Sequence, residues 1–298
     1  MKLPDSAVIF GCGYVGGELA RRLVERGVRV AALTRNPETA GALRSMGLSE
    51  VVEAELQTKD WHAALRGDYE AVVNCVSSAG GGLEGYRRSY LEGQVSILDW
   101  LGPRRLRRYL YTGSTSVYPQ DDGGWVDERA DTSQAPPTGR VLLESEALLR
   151  ALDPRRVERW YVFRLSGIYG PGRHYLIDQV REHAEAPIPG RGDYALNMIH
   201  RDDVVSALLR ALDPESSAPS GIYNLSDDRP ATKEAVVRWL AGQLGRPTPG
   251  FDPSQVPPRL ARRGGRMPDR RISNAKAKRA FGWAPRYDSF EAGYRGLV

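Results

Sequence analysis

The stretch AVIFGCGYVGG, residues 7–17, joins a short apolar run to a glycine-rich turn. Gly11, Gly13 and Gly16 follow the spacing G-x-G-x-x-G, and an amphipathic stretch comes directly after them. In a strand-turn-helix unit the first glycine permits the tight turn, the second lets a phosphate approach the backbone, and the third lets the helix pack on the strand. The helix N-terminus adds amide donors and a positive dipole. We expect this turn to bind a pyrophosphate, and a structural turn without a ligand is the alternative.

Apolar runs of strand length alternate with amphipathic stretches through the first half of the chain. Strands are predicted at residues 7–10, 28–33, 51–54, 71–76, 108–112, 159–165 and 221–225. Helices are predicted at residues 14–26, 37–46, 60–66, 84–101, 138–152, 200–212 and 233–245. The alternation predicts an α/β fold, a Rossmann-type doubly wound parallel sheet, with a smaller C-terminal substrate lobe.

We expect residues 1–165 to form an NAD(P)-binding Rossmann domain and residues 166–298 to form the substrate lobe. Segments near 195–230 are expected to return to the Rossmann sheet. Residues 246–271, rich in proline and arginine, are predicted to be a long irregular segment.

Composition excludes several classes of protein. The 298 residues carry a net charge of only +5, and the arginine-rich runs lack interleaved aromatic residues, so no nucleic-acid partner is expected. No apolar run approaches the roughly 20 residues of a membrane span, so no membrane partner is expected. No secretion signal is visible, and a cytoplasmic location is expected. Cys12 and Cys75 are interpreted as buried packing residues, and no metal site is predicted.

The end of the second predicted strand reads Thr34, Arg35, Asn36. A cofactor with a free ribose 2′-hydroxyl is usually held by an acidic residue at this place, whereas an arginine pairs with a 2′-phosphate. We therefore expect NADP to be preferred over NAD, with Arg35 as an ordinary surface arginine being the alternative. The predicted cofactor site also includes Tyr14, Val15, Glu55, Leu56, Cys75 and Val76.

Several further motifs carry a resemblance along nearly the whole chain. They are GSTSVYP (113–119), FRLSGIYGPGR (163–173), IHRDDV (199–204), GIYNLSDD (221–228) and NAKAKRAFGWAPRY (274–287). Together with the glycine turn, and in this order, they resemble the extended short-chain dehydrogenase/reductases, the NAD-dependent epimerase/dehydratase group. The resemblance implies a nicotinamide enzyme that oxidises, reduces, epimerises or dehydrates sugar nucleotides or related alcohols.

The catalytic signature of that group, Tyr-x-x-x-Lys, is missing. Counted from Ser114 without a gap, the tyrosine position falls on Thr138 and the lysine position on Leu142, while Glu146 matches a glutamate common in the group. The chain therefore resembles an atypical member. Two further departures, Tyr90 for a frequent asparagine and Leu196 for an arginine that holds a diphosphate, make nucleotide-sugar substrates less expected.

Ser114, Tyr118 and Tyr169 remain as candidate catalytic residues. Ser114 matches the hydroxyl that the group places near the reacting oxygen, although it could also simply close the end of a strand. A free phenol has a pKa near 10, so either tyrosine needs a positive neighbour to exchange protons at neutral pH. His200 lies at the very start of the predicted helix 200–212, just before the stretch DDVVSALLRAL, and is expected to be structural.

Two functions are compatible with these residues. The first is an NAD(P)-dependent oxidoreductase or epimerase/dehydratase-like enzyme that acts on a small hydroxylated or carbonyl substrate. The alternative is a non-catalytic NADP(H)-binding sensor or regulatory protein. A homodimer through helices 84–101 and 138–152 is expected, since both carry surplus apolar residues and the resemblance implies pairing there. Packing within one subunit is the other explanation.

Overall fold

Seven parallel strands form the central sheet of this computed structural model, which describes residues 1–78, 80–183, 186–256 and 268–298. The strands are β1 Ser6–Phe10, β2 Arg29–Thr34, β3 Glu50–Glu53, β4 Ala71–Asn74, β5 Leu106–Ser114, β6 Val157–Leu165 and β7 Gly221–Leu225. Their order across the sheet is β7-β6-β5-β4-β1-β2-β3. This arrangement confirms the predicted α/β fold with a doubly wound parallel sheet. The order reverses between β1 and β4, where ligands bind in such folds.

Helices flank the sheet. They are α1 Gly16–Val24, α2 Pro37–Ser45, α3 Gly82–Tyr86, α4 Gly93–Leu101, α5 Pro137–Arg150, α6 Tyr175–Glu182, α7 Arg201–Ala211, α8 Lys233–Gln243, α9 Ala275–Phe281 and α10 Phe290–Tyr294. Within the described parts of the chain, no helix is both long and apolar enough to cross a membrane.

The first strand is buried on both of its faces. Ala7 and Ile9 belong to one apolar cluster, and Val8 and Phe10 belong to a second cluster. Because helices cover both faces of a parallel sheet, its inner strands are apolar without interruption. This double burial explains why the run AVIF predicts the strand so well.

A smaller lobe follows β6. The strand Gly167–Tyr169 pairs in parallel with Met198–His200, and Ala195–Leu196 pairs antiparallel with Ala231–Thr232. Helices α6, α8 and α10 contribute to a separate apolar core there. Between these pieces the chain returns to the main sheet, because β7 pairs with β6 along its whole length.

The secondary structure departs from the sequence prediction in two helices. Residues 60–66 form only a short 3-10 turn, Asp60–Ala63, which buries Trp61. The predicted helix 84–101 is interrupted by a π-helical stretch, Arg87–Glu92. A π turn leaves backbone carbonyls out of the regular ladder, and the carbonyl of Tyr90 accepts a hydrogen bond from Ser145 Oγ at 2.8 Å.

The predicted irregular segment 246–271 contributes two short strands, Phe251–Asp252 and Arg271–Ile272. The first pairs in parallel with the short strand Ile188–Pro189, and the second pairs in parallel with Trp125–Val126. Residues 257–267 of this prediction lie outside the described residues.

Candidate functional site

The glycine turn after β1 is built around close backbone approaches. Gly11 has φ +86°, and a Cβ atom there would lie 2.6 Å from the amide nitrogen of Val76. A Cβ atom at Gly16 would lie 2.3 Å from the carbonyl oxygen of Gly11. A Cβ atom at Gly13 would meet nothing within 4 Å. Two glycines are thus required by packing, whereas the third leaves open space beside the backbone.

The contact between Gly11 and Val76 lies at the reversal of strand order, because Val76 follows β4. A buried chain of amides fixes the Val76 backbone there. Asn74 Oδ1 accepts a hydrogen bond from the Val76 amide at 3.1 Å, and Asn74 Nδ2 donates to Gln94 Oε1 at 2.8 Å. Gln94 Nε2 donates to the Tyr109 hydroxyl at 2.8 Å. Sequence reasoning missed Asn74, although a polar residue that ends a buried apolar strand was a visible signal.

The end of β2 places an exposed arginine beside an acidic residue. Arg35 is exposed, and its Nη1 lies 3.8 Å from Glu55 Oε1. Asn36 caps α2 by accepting a hydrogen bond from the Thr39 amide at 3.0 Å. The hydroxyl of Thr34 accepts from the Asn36 amide at 3.3 Å. Arg35 is therefore the charged side chain among residues 34–36 that can reach a ligand.

Tyr14 joins the glycine turn to the loop that follows Tyr169. Its hydroxyl donates to the carbonyl oxygen of Pro171 at 3.1 Å. The guanidinium carbons of Arg173 and Arg201 lie 5.5 and 5.2 Å from the centre of the Tyr14 ring. Residues far apart in sequence thus meet at the carboxyl edge of the sheet, beside the predicted pyrophosphate turn.

Ser114 ends β5, opposite Leu165 of β6. Its Oγ accepts a hydrogen bond from the Ser116 amide at 3.1 Å, and the side chain is half-buried. The hydroxyl proton of Ser114 is not used in that bond. This serine can therefore donate to an oxygen of a ligand at the sheet edge.

The two positions that the resemblance assigns to a catalytic tyrosine and lysine, Thr138 and Leu142, lie on α5. Thr138 is half-buried in its first turn, and Leu142 is fully buried. Leu142 packs in an apolar cluster with Val117, Tyr118, Val126 and Ile272. A lysine ammonium at position 142 would have to be desolvated among these side chains, so the surroundings are matched to leucine.

Tyr118 is buried, and its hydroxyl donates to Asn224 Oδ1 at 2.8 Å. Burial raises the pKa of Tyr118, and the guanidinium of Arg164, 4.9 Å from the ring centre, opposes that rise. Arg164 in turn forms a buried bidentate pair with Glu146, at 2.6 and 2.9 Å. Arg164 was not identified from the sequence as the positive neighbour of Tyr118, although an arginine inside the apolar strand VFRL was a visible signal.

Tyr169 lies in the core of the smaller lobe, apart from the cluster that contains Tyr118. Its ring stacks on Tyr294 with centroids 4.6 Å apart, and burial raises the pKa of Tyr169. His200 caps α7 by accepting a hydrogen bond from the Asp202 amide at 3.2 Å. The structure therefore does not bring the two candidate tyrosines together.

One buried carboxyl group was not predicted from the sequence. Asp227 follows β7 and is 2% exposed, and its Oδ1 lacks a hydrogen-bond partner among the described residues. Burial, and then the neighbouring Asp228 carboxylate, raise the pKa of Asp227 to about 8. In the described ranges, no cluster of three or more His, Cys, Asp or Glu side chains has the arrangement of a metal site.

Comparisons with known proteins agree with this architecture. A sequence profile of the NAD dependent epimerase/dehydratase family matches residues 7–226, which span the seven strands of the sheet except for Ser6 at the start of β1. The chain is 30% identical over 250 residues to Protein YeeZ of Escherichia coli K12, a match that covers 82% of this chain and 85% of that protein.

Two solved structures share the fold. A conserved protein of unknown function from Silicibacter pomeroyi has a TM-score of 0.79 and 24% identity, over 98% of both chains. UDP-glucuronic acid 4-epimerase from Bacillus cereus, solved with UDP-glucuronic acid and NAD, has a TM-score of 0.80 and 19% identity, over 98% of this chain and 100% of that one.

The buried pair of Glu146 and Arg164 generates a prediction. Glu146→Gln leaves the Arg164 guanidinium buried without its anion, so we expect the free energy of unfolding to fall by about 3 to 5 kcal/mol. The matched control is Glu144→Gln on the same helix, since Glu144 is exposed and pairs with Arg87 at 3.6 Å. We expect that control to change stability by less than about 1 kcal/mol. Urea unfolding of the three proteins measures both effects, and equal losses would contradict the assignment.

Asp227 generates a prediction about pH. Because its pKa in the folded protein is about 8, above the usual 3.8, the folded state keeps a proton that the unfolded chain has lost. The contribution of Asp227 to the free energy of unfolding should therefore fall as the pH rises from about 4 to about 8. Asp227→Asn cannot ionise, so its stability relative to the wild type should increase over this range and then level off. Urea unfolding at a series of pH values tests this, and parallel curves would contradict it.

Proposed function

Because the chain belongs to the NAD-dependent epimerase/dehydratase family, we propose that it is an enzyme that binds a nicotinamide dinucleotide and acts on a small hydroxylated or carbonyl compound. One observation carries the proposal. The backbone of Gly11 is pressed against that of Val76 at the reversal of strand order, while open space remains at Gly13. A phosphate needs this combination of a fixed turn and an unobstructed backbone.

The residues at the sheet edge fit a dinucleotide. The amides of Gly13, Tyr14 and Val15 precede α1, whose positive end favours a pyrophosphate. We assign Thr34, Arg35 and Asn36 to the adenosine ribose, Glu55 and Leu56 to the adenine, and Cys75 and Val76 to the middle of the cofactor. When bound, the nicotinamide would supply reversible transfer of a hydride.

We propose NADP as the preferred cofactor, because Arg35 is exposed at the end of β2 and residues 34–36 contain no carboxylate. The Glu55 carboxylate lies beside Arg35 and would compete with a 2′-phosphate for its guanidinium. The pair is exposed and its atoms are 3.8 Å apart, so it is weak and can open for a phosphate.

We assign Ser114 to the reacting oxygen of the substrate. Its hydroxyl proton is available at the edge of the sheet, whereas its oxygen is held by the Ser116 amide. Tyr118 and Tyr169 are proposed to shape the site rather than to exchange protons, since burial raises the pKa of both. The proton would then come from water or from the substrate itself.

A second function is favoured by Leu142. A buried leucine in an apolar cluster replaces the lysine of the catalytic pair, and Thr138 replaces the tyrosine. A protein that only senses the NADP/NADPH ratio would tolerate both replacements. Any change in nicotinamide absorbance linked to turnover, across a panel of alcohols, aldehydes and sugars, excludes the sensor. Tight cofactor binding without turnover of any compound favours it.

We also propose a homodimer. Helices α3 and α4 lie beside α5, and Arg87 bridges to Glu144 at 3.6 Å. The helical segment 82–101 still exposes large apolar side chains, Leu83 at 49% and Val95 at 41%. A second copy of the same surface would bury them.

The cofactor assignment predicts a selective effect of Arg35. In titrations followed by tryptophan fluorescence, we expect Arg35→Ala to weaken NADPH binding by roughly tenfold or more and to leave NADH binding nearly unchanged. The matched control is Arg44→Ala, because Arg44 is also exposed and pairs with Glu53 at 2.7 Å. Equal weakening of NADPH and NADH would contradict the NADP preference. Failure of the wild type to bind either nucleotide would contradict the proposed function.

The proposed dimer surface predicts the effect of a charge placed on it. Val95→Glu should convert the protein from a dimer to a monomer in light scattering, because the proposed interface would have to bury an unpaired carboxylate. Val256→Glu, at an apolar residue that is 57% exposed elsewhere, should leave the mass unchanged. A wild-type monomer, or a dimer that persists with Val95→Glu, would contradict the proposed interface.

A further inference from the structure

Lys233 is a buried cation in the smaller lobe. It begins α8 and is 6% exposed, whereas the chain's other four lysines are exposed or half-buried. Its Nζ lies 5.3 Å from the centre of the Phe251 ring. No carboxylate or carbonyl oxygen in the described ranges pairs with that ammonium. A buried charge without a counter-charge is costly, so its presence calls for an explanation.

The surroundings make the ammonium still less favourable. Lys233 stands at the positive end of α8, where a cation opposes the helix dipole. The acidic residue next to it, Glu234, pairs with Arg238 at 2.5 Å rather than with the lysine. In line with this, burial lowers the pKa of Lys233 to about 8.

The first amides of α8 do not supply a ligand site by themselves, because each is already bonded. The Lys233 amide donates to the Tyr194 carbonyl at 3.2 Å, and the Glu234 amide donates to the Gly192 carbonyl at 2.8 Å. The Ala235 amide donates to Thr232 Oγ1 at 3.2 Å. The side chain of Lys233 is therefore the group at this end of the helix whose charge is uncompensated.

The Phe251 ring beside the ammonium is tightly packed. A Cβ atom at Gly192 would lie only 2.7 Å from this ring, so the ring is in close contact with the backbone of Gly192. Lys233 also follows directly after Thr232, which pairs with Ala195. The strand Met198–His200 comes shortly after Leu196 and pairs in parallel with Gly167–Tyr169. The strand Gly167–Tyr169 follows the carboxyl end of β6. The lysine thus begins a helix whose apolar residues share the core of the smaller lobe with Tyr169, and the Phe251 ring beside its ammonium packs against the same core.

We propose that Lys233 binds an anionic group, a carboxylate or a phosphate, on the part of the substrate that does not react. This inference rests on the proposed function, because it assigns the anion to a substrate held by the smaller lobe. An anion there would compensate the buried charge and would meet the positive end of α8. The substrate class is accordingly a hydroxylated or carbonyl compound that carries an acidic group.

The test measures how fast acetic anhydride acetylates Lys233 in the full-length protein, with peptides read by mass spectrometry. Saturating NADPH is present so that the glycine turn is occupied. Inorganic phosphate and succinate are the two anion probes. We expect at least one of them to slow acetylation of Lys233 by about tenfold, as an ion pair of ordinary strength would. Protection by phosphate alone assigns a phosphate, and protection by succinate alone assigns a carboxylate.

Lys276 provides an internal control in the same digest. Its Nζ donates to the Ile222 carbonyl at 2.7 Å and lies over the Tyr223 ring, so neither probe should slow its acetylation more than slightly. A second measurement uses thermal unfolding. The same anion should raise the midpoint of the wild type and of Lys276→Met but not that of Lys233→Met.

The outcomes separate the two proposals. Binding of NADPH without protection of Lys233 by either probe overturns this inference and leaves the proposed function intact. Protection of Lys233 in a protein that fails to bind NADPH supports the anion site and contradicts the nicotinamide part of the proposed function. Equal protection of Lys233 and Lys276 means a general salt effect and overturns the inference.

Discussion

The close approach of the glycine turn to the Val76 backbone is the constraint on which the site depends. Gly11 must adopt a positive φ and must lack a side chain, because any Cβ would collide with the segment that follows β4. That segment is held in turn by Asn74, whose own partners are buried. The loops after β1 and β4 therefore form one rigid crevice, at the place where the strand order reverses. A ligand at this place meets a surface that is already organised.

Apolar packing and a buried ion pair surround the helix on which the resemblance places the catalytic pair. Leu142 fills a cluster that also contains the Tyr118 ring, and Arg164, 4.9 Å from that ring, is paired with Glu146. Burying that ion pair costs desolvation, but its bidentate geometry and its position beside Tyr118 hold β6 against α5. The fold of the family is kept, and of the two positions that the resemblance assigns to the catalytic pair, Leu142 is buried and Thr138 is half-buried. We propose Ser114 as the hydroxyl that meets the substrate.

Much of the fold could be predicted from the sequence because its strands are buried on both faces. The runs AVIF and AVV, residues 7–10 and 71–73, are apolar without interruption, and Gly11 marks the end of the first run. The π-helical interruption at Arg87–Glu92 could not be predicted in this way, since it coincides with a hydrogen bond from Ser145 to the Tyr90 carbonyl, 55 residues apart. Helical periodicity is a local signal, and a tertiary contact overrides it.

The site was predictable to the extent that it rests on local motifs. Residues of the glycine turn and the end of β2 follow from spacing along the chain. The pairs Arg35 with Glu55, Tyr14 with Pro171 and Arg164 with Glu146 join separate elements, so spacing alone could not reveal them. Lys233 escaped notice for a related reason. The interpretation of Lys233 depends on its burial and on the lack of a carboxylate paired with it among the described residues. Neither property can be read from the local sequence.

Gly13→Val is the substitution that tests the central claim most directly. The side chain would enter the open space at Gly13 without meeting protein, and φ at this residue is not positive, so the folded state should be retained. The measurement is nucleotide binding by tryptophan fluorescence, together with the thermal midpoint of the same sample. Loss of binding at an unchanged midpoint is the expected result. Unchanged binding would contradict the claim that a dinucleotide lies against this turn.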